Sequence, residues 1–236
     1  MKKKTKKKTR INYLNKNSKY WEKGYHAPNV ESFVFRFYGR ILVNDFNITG
    51  KKKERILDFG CGQGGNLNFF HKLGFDVYGV DIAKKDINIA KKVIKQKKNN
   101  FKIIDTKPNK NLIFFKNKKF DVAISIQTLD FLSNSDFDQA INCIYNNMKK
   151  GAVIYVTMNA WCHYYRKKGN YAGDGLWSIK FDNGRVKYDI MLNFIKNKNE
   201  MKKKMKLFKP IFIDSYDIQA RHEGSEKRYA FVGVKE

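Results

Sequence analysis

The sequence predicts an α/β domain, a largely parallel sheet wound with helices on both faces. Three observations predict it. From Arg55 onward, short apolar runs alternate with amphipathic segments; a cluster of glycines directly follows the first run; and the next run ends on an acid. Buried strands separated by crossover helices read this way, because a strand covered on both faces is apolar throughout.

The elements follow in order. "MKKKTKKKTR" opens a low-complexity basic stretch, and residues 1–17 read as a disordered tail. With no apolar stretch behind it, it does not resemble a secretory signal. Residues 18–50 read as an N-terminal helical cap, its helix beginning after Pro28 with Asn29 as N-cap. Phe33, Phe37 and Ile41 form its stripe, and it ends near Asn44. Residues 51–236 form the main domain. There "RILDF" is a strand, "GNLNFFHKL" a helix, "DVYGVD" a strand, and "AKKDINIAKKVIKQ" a helix burying Ile87, Ala90, Val93 and Ile94. "FKIID" and "FDVAISI" are strands. "SDFDQAINCIYNNMKK" is a helix capped near Ser135 or Asp136 and stopped at Gly151, and "AVIYVTM" is the fifth strand. Residues 159–189 then read as a lid or hairpin insertion, with Asn183-Gly184 favouring a type I′ turn. "MLNFIKNKNEMKKKMKLF" reads as an amphipathic helix, and "IFIDSYDIQ" and "RYAFVGVK" as closing strands.

Composition narrows the function classes. The 236 residues carry 49 Lys+Arg against 22 Asp+Glu, a formal charge of +27, which invites a nucleic-acid partner. Lysine far outnumbers arginine, however, and arginine is the residue that forks onto phosphates. Nucleic acid is therefore possible but not the favoured partner. No apolar run is long enough to span a membrane. The three cysteines, Cys61, Cys143 and Cys162, are odd in number and irregularly spaced, which fits reduced thiols in a cytoplasmic protein and no zinc site. Oligomeric state is not encoded legibly.

"ILDFGCGQGGN" carries the chemistry. Gly60, Gly62 and Gly64 let a ligand rest against backbone amides, and Asp81 stands about 20 residues beyond Gly60, where a carboxylate meets a ribose diol. A nucleoside-containing ligand follows. Asp58, immediately before the turn, would repel a pyrophosphate and suit a cation, which disfavours a dehydrogenase.

At these residues the sequence resembles the class I S-adenosylmethionine-dependent methyltransferases, matching the apolar-apolar-acid-apolar-Gly-x-Gly-x-Gly motif from Ile56 to Gly64. The resemblance implies a Rossmann-like, mostly parallel seven-stranded sheet with an antiparallel last strand. It implies S-adenosylmethionine as cofactor, with Asp58, Gly60, Cys61 and Gly62 around its methionyl part and Asp81 and Ile82 at ribose and adenine. Asp105 and Thr106 would lie near the adenine, and Ser125, Ile126 and Gln127 would face the cofactor. The fourth strand ends "SIQTL", without the Asn/Asp-Pro-Pro-Tyr/Phe motif of adenine amino-methylation, and no Pro-Cys supplies a thiol nucleophile for cytosine chemistry.

The flanks should choose the methyl acceptor. His26 and His163 are candidate bases, because their ordinary pKa is near neutrality. Tyr25, Arg36, Trp161, Tyr164 and Tyr165 are candidate acceptor-binding residues, with Arg40 beside Arg36 for a carboxylate or phosphate, and Asp130 and Glu31 for a cationic or amine acceptor. The expected activity is methyl transfer to oxygen or nitrogen of a small molecule such as a sugar or other metabolite. An RNA methyltransferase using the lysine tail, and a non-catalytic nucleotide-binding module, are the alternatives.

Overall fold

The computed structural model describes residues 13–19, 30–182, 187–220 and 224–236. Helix α1 (13–19) is followed by α2 (Ser32–Arg36), which runs into a π-helical stretch, Phe37–Val43. The sheet then begins with β1 (Arg55–Phe59), α3 (Gly65–Lys72), β2 (Asp76–Asp81), α4 (Lys84–Val93), β3 (Phe101–Ile103) and β4 (Phe120–Ser125). There follow α5 (Asn134–Asn147), β5 (Met148–Asn159), α6 (Tyr164–Lys167), β6 (Gly169–Gly173), β7 (Leu176–Asp182) and β8 (Lys187–Asn193). The chain closes with α7 (Lys198–Lys204), β9 (Lys209–Tyr216), β10 (Gln219–Ala220), β11 (Gly224–Ser225) and β12 (Arg228–Val234).

Seven strands form the main sheet in the order β3-β2-β1-β4-β5-β12-β9. The first five pair in parallel, and β12 is antiparallel to both β5 and β9. This is the expected Rossmann-like arrangement with its reversed last strand. Neighbouring residues divide the core between the faces. Ile56, Val77, Val122 and Val153 pack with α3 and α4, whereas Leu57, Tyr78, Ala123 and Ile154 pack with α5. Burial on both faces is why these strands read as unbroken apolar runs.

Several local expectations are corrected. Residues 13–17 are not part of a tail but lie in α1, because Tyr13 and Asn17 have buried partners: the Tyr13 hydroxyl bonds Asp136, and Asn17 Nδ2 donates to the Phe131 and Met191 carbonyls. The cap helix starts at Ser32 with Glu31 as N-cap; Asn29 lies outside the described residues. The N-cap of α5 is Ser133, whose hydroxyl accepts from the Asp136 N–H, and the helix stops at Asn147 rather than Gly151. Met191 to Asn193 belong to β8, so only Lys198–Lys204 of the expected amphipathic helix is helical. Burial of Met191 and Leu192 in the inserted sheet outweighs their helical propensity.

The insertion after β5 is larger than residues 159–189. It is a three-stranded antiparallel sheet, β6-β7-β8, that returns to the main chain at Ile195. Residues Asn183-Gly184, which would set the turn type, lie outside the described residues; the strands pair as far as Asp182 with Lys187. Among the described residues, no helix is long and apolar enough to cross a membrane.

Candidate active site

A cavity of about 490 Å³ opens at the carboxyl ends of the parallel strands, the place where doubly wound sheets bind ligands. One end is made of backbone. Gly60, Gly62 and Gly64 all have positive φ, and Gly64 precedes the first turn of α3. The glycines are not equivalent. A Cβ at Gly60 would lie 2.1 Å from the Thr128 side chain, whereas one at Gly62 would meet nothing within 4 Å. The space spared at Gly60 is thus filled by protein, and that at Gly62 is open.

Asp81 ties this turn together. Its Oδ2 accepts the Gly62 N–H at 2.8 Å and its Oδ1 accepts the Ala83 N–H at 2.9 Å. Burial pushes its carboxyl above the usual range. Gly60, Cys61, Gly62, Asp81 and Ile82 all line the cavity, as do Asp105, Thr106, Ile126 and Gln127. Gln127 has φ +53; its N–H donates to Thr157 Oγ1 and its Nε2 to Glu31 Oε1, both at 3.0 Å. Two hydrogen bonds hold a residue in a conformation that non-glycine residues seldom adopt.

Two expected ligand contacts lie behind the wall instead. The Ser125 hydroxyl is fully buried and donates to the Phe59 carbonyl at 3.0 Å, so it is spent on joining β4 to β1. Asp58 is 1% exposed and sits beneath the turn, and neither carboxylate oxygen has a hydrogen-bond partner. Burial, reinforced by the charge of Asp81 and opposed by nearby Asn66, pushes its carboxyl up to about 8.

The second end is made of side chains. A short turn after β4 carries Asp130, buried, whose Oδ1 accepts the Asn159 N–H at 2.7 Å. Burial pushes its carboxyl up to about 7, with Arg228 pulling the other way. Sheet register sets Arg228 opposite both Asn159 and Tyr216, and all of these line the cavity. Arg228 Nη2 lies 3.7 Å from Glu226 Oε2. The inserted sheet contributes Ile190 and Leu192, and α1 contributes Leu14 and Asn17.

Of the expected acceptor-side residues, Tyr165, Asp130 and Glu31 reach the cavity. His163 does not: it is wholly buried, its Nδ1 caps α6 by accepting the Tyr165 N–H, and desolvation pushes its pKa down to about 3. A histidine that stays neutral and enclosed cannot serve as the base expected of it. Tyr164 is buried beside it, and Trp161 packs against Trp177 and the Arg166 guanidinium within the insertion. Arg36 and Arg40 are exposed on the cap helix, Arg36 over the Phe33 ring. Tyr25 and His26 lie outside the described residues. Asn159, Tyr216 and Arg228 were missed by sequence reasoning, because only strand register brings them together.

Comparisons with known proteins agree with this architecture. A family model described as a methyltransferase domain matches residues 30–192. A ubiquinone biosynthesis O-methyltransferase from Pelagibacter ubique is 30% identical over 136 residues, 56% of this chain and 55% of that protein. The chain thus spans about half the length of the curated relatives it matches. A crystal structure of a SAM-dependent methyltransferase from Methanosarcina mazei superposes with TM-score 0.64 at 17% identity, covering 88% of this chain and 98% of that one. A glycopeptide N-methyltransferase complexed with S-adenosylmethionine gives TM-score 0.60 at 11% identity, covering 90% and 96%. At these identities the likeness is one of fold.

Proposed function

This chain belongs to the methyltransferase domain family, and from that premise we propose that it transfers a methyl group from S-adenosylmethionine to oxygen or nitrogen of a small molecule. The observation that carries the reading is Asp58. A buried carboxyl with two unpartnered oxygens, directly behind an open glycine turn, holds its proton unless a cation comes near to favour the ionised form. A ligand bearing an ammonium and a sulfonium, and no phosphate, fits that donor set. Asp81 and the turn amides would hold its nucleoside and methionyl parts, with Asp105 and Thr106 at the far edge of the cavity. When bound, such a cofactor supplies an electrophilic methyl group.

The chain's own contribution is then positioning, since an in-line displacement gains most from fixing the acceptor's lone pair behind the methyl carbon. Asp130 is the group at the acceptor end able to take up a proton near neutrality, because its carboxyl is raised to about 7 and forms part of the cavity wall. Isothermal titration with S-adenosylmethionine, S-adenosylhomocysteine and NAD tests the reading. Binding of the first two and not of NAD is expected; NAD binding in preference to both would overturn it.

A further inference from the structure

The chain's charge and its cavity's charge are opposite. On a protein of formal charge +27, the cavity is lined by six acids, Glu31, Asp81, Asp86, Asp105, Asp130 and Glu226. Only Lys107 and Arg228 oppose them among the described residues. Asp81 and Asp86 stand close together at the glycine end, with Asp86 accepting from Gln63 Nε2 at 3.1 Å, and Asp105 lines the cavity further along. Asp130 and Glu226 remain for the other end, with Arg228 the base lining it among the described residues, while Glu31 is bonded to Asn66 and Gln127. An independent feature points the same way. Asn159 is 4% exposed, lines the cavity, and its Oδ1 has no hydrogen-bond partner. It stands next to Asp130, whose one hydrogen bond among the described residues uses Oδ1. Both groups offer lone pairs and ask for donors. Around them Phe131, Leu132, Tyr165, Ile190 and Leu192 form an apolar wall.

Resting on the methyltransferase reading, we propose that this end of the cavity takes an amine-bearing acceptor on an apolar body. Its N–H donors are held by Asp130 and by Asn159 Oδ1, and carboxylate- or phosphate-bearing acceptors are refused. A protonated amine offers up to three donors and a positive charge, and so satisfies both oxygens; an alcohol offers one donor and no charge. A carboxylate brings a like charge beside Asp130 and no donor for Asn159 Oδ1, while Arg228 already lies against Glu226, and so it costs affinity twice over.

Ligand-observed NMR with benzylamine, benzyl alcohol and benzoate, on protein saturated with S-adenosylhomocysteine, tests this. Benzylamine is expected to bind at least about tenfold tighter than benzoate, with benzyl alcohol between. Asp130→Asn, which keeps an acceptor for the Asn159 N–H, should weaken benzylamine at least about fivefold and leave S-adenosylhomocysteine affinity unchanged. Benzoate or benzyl alcohol binding as tightly as benzylamine overturns the proposal. So does an Asp130→Asn protein that binds benzylamine normally, or binding of none of the three. Failure of S-adenosylhomocysteine itself to bind overturns the methyltransferase reading instead, and the ranking of the three probes is then read on the protein alone.

Discussion

The two ends of the cavity are built by different means. At the glycine end, consecutive residues from Asp58 to Gly64 produce the site through backbone conformation, and one side chain, Asp81, locks it. At the other end, Asp130 comes from the turn after β4, Asn159 from β5 and Arg228 from β12, and the three meet through strand register and the Asn159 N–H bond to Asp130. A backbone-built site is local and fixed; a side-chain-built site can change residue by residue without disturbing the fold. Under the proposed function, the first end would bind the donor and the second would choose the acceptor.

The sharpest way to break that division is Asp130→Asn. Methyl transfer should fall by ~10²-fold or more, the usual worth of a positioned proton acceptor, with cofactor affinity unchanged in titration calorimetry. In the wild type, the activity of such a base should rise with pH through about 7, as Asp130 ionises. A parallel loss of cofactor affinity in the variant would show that the ends are not separate. The converse is Asp81→Ala, which removes the acceptor of two turn amides. S-adenosylmethionine should bind on the order of 10²-fold more weakly, since hydrogen bonds to a charged group contribute ~1.5–3 kcal/mol each.

Two alanine substitutions divide the turn itself. Gly60→Ala drives a methyl into Thr128 and should lower thermal stability markedly. Gly62→Ala meets open space and should cost only ~1 kcal/mol of backbone strain, yet weaken cofactor binding by occupying the ligand's room. Melting temperature and affinity, measured on both, should therefore move in opposite proportion.

Asp58 gives a pH signature to the glycine end alone. Its raised carboxyl binds a proton that the unfolded chain has already released, so its burial costs stability as pH rises from about 4 towards about 8. A cation nearby favours the ionised form, so S-adenosylmethionine affinity should climb with pH up to about 8, by at most ~tenfold per unit, with proton release visible in buffers of different ionisation enthalpy. The smallest effect belongs to His163. His163→Gln should lose the α6 cap, ~1 kcal/mol, and leave the pH profile of turnover unmoved.

Legibility in the sequence follows the same line. The parallel strands were readable because they are covered on both faces, and the cofactor turn because its residues are contiguous and glycine is the residue that tolerates positive φ. Ser125 was misplaced because a hydroxyl at a strand end looks the same whether it faces a cavity or a neighbouring strand. His163 was chosen for its chemistry in water, and burial removed that chemistry. Arg228 carries no local mark at all; its importance is a consequence of pairing opposite Asn159, a register that sequence spacing does not state. The inserted sheet was underestimated because Met191 and Leu192 fit a helical stripe as well as a strand.

That insertion leaves and rejoins the domain at almost one point. The Trp161 N–H donates to the Ile195 carbonyl at 2.7 Å and the Ile195 N–H to the Asn159 carbonyl at 2.8 Å, so both ends of the excursion are stapled to the tip of β5. A segment whose ends already touch behaves as a cassette. It can lengthen, shorten or be exchanged for another at little entropic cost, and the seven strands beneath keep their register. In such a scaffold, under the proposed function, the wall that meets the acceptor can be altered while the glycine turn is left as it is.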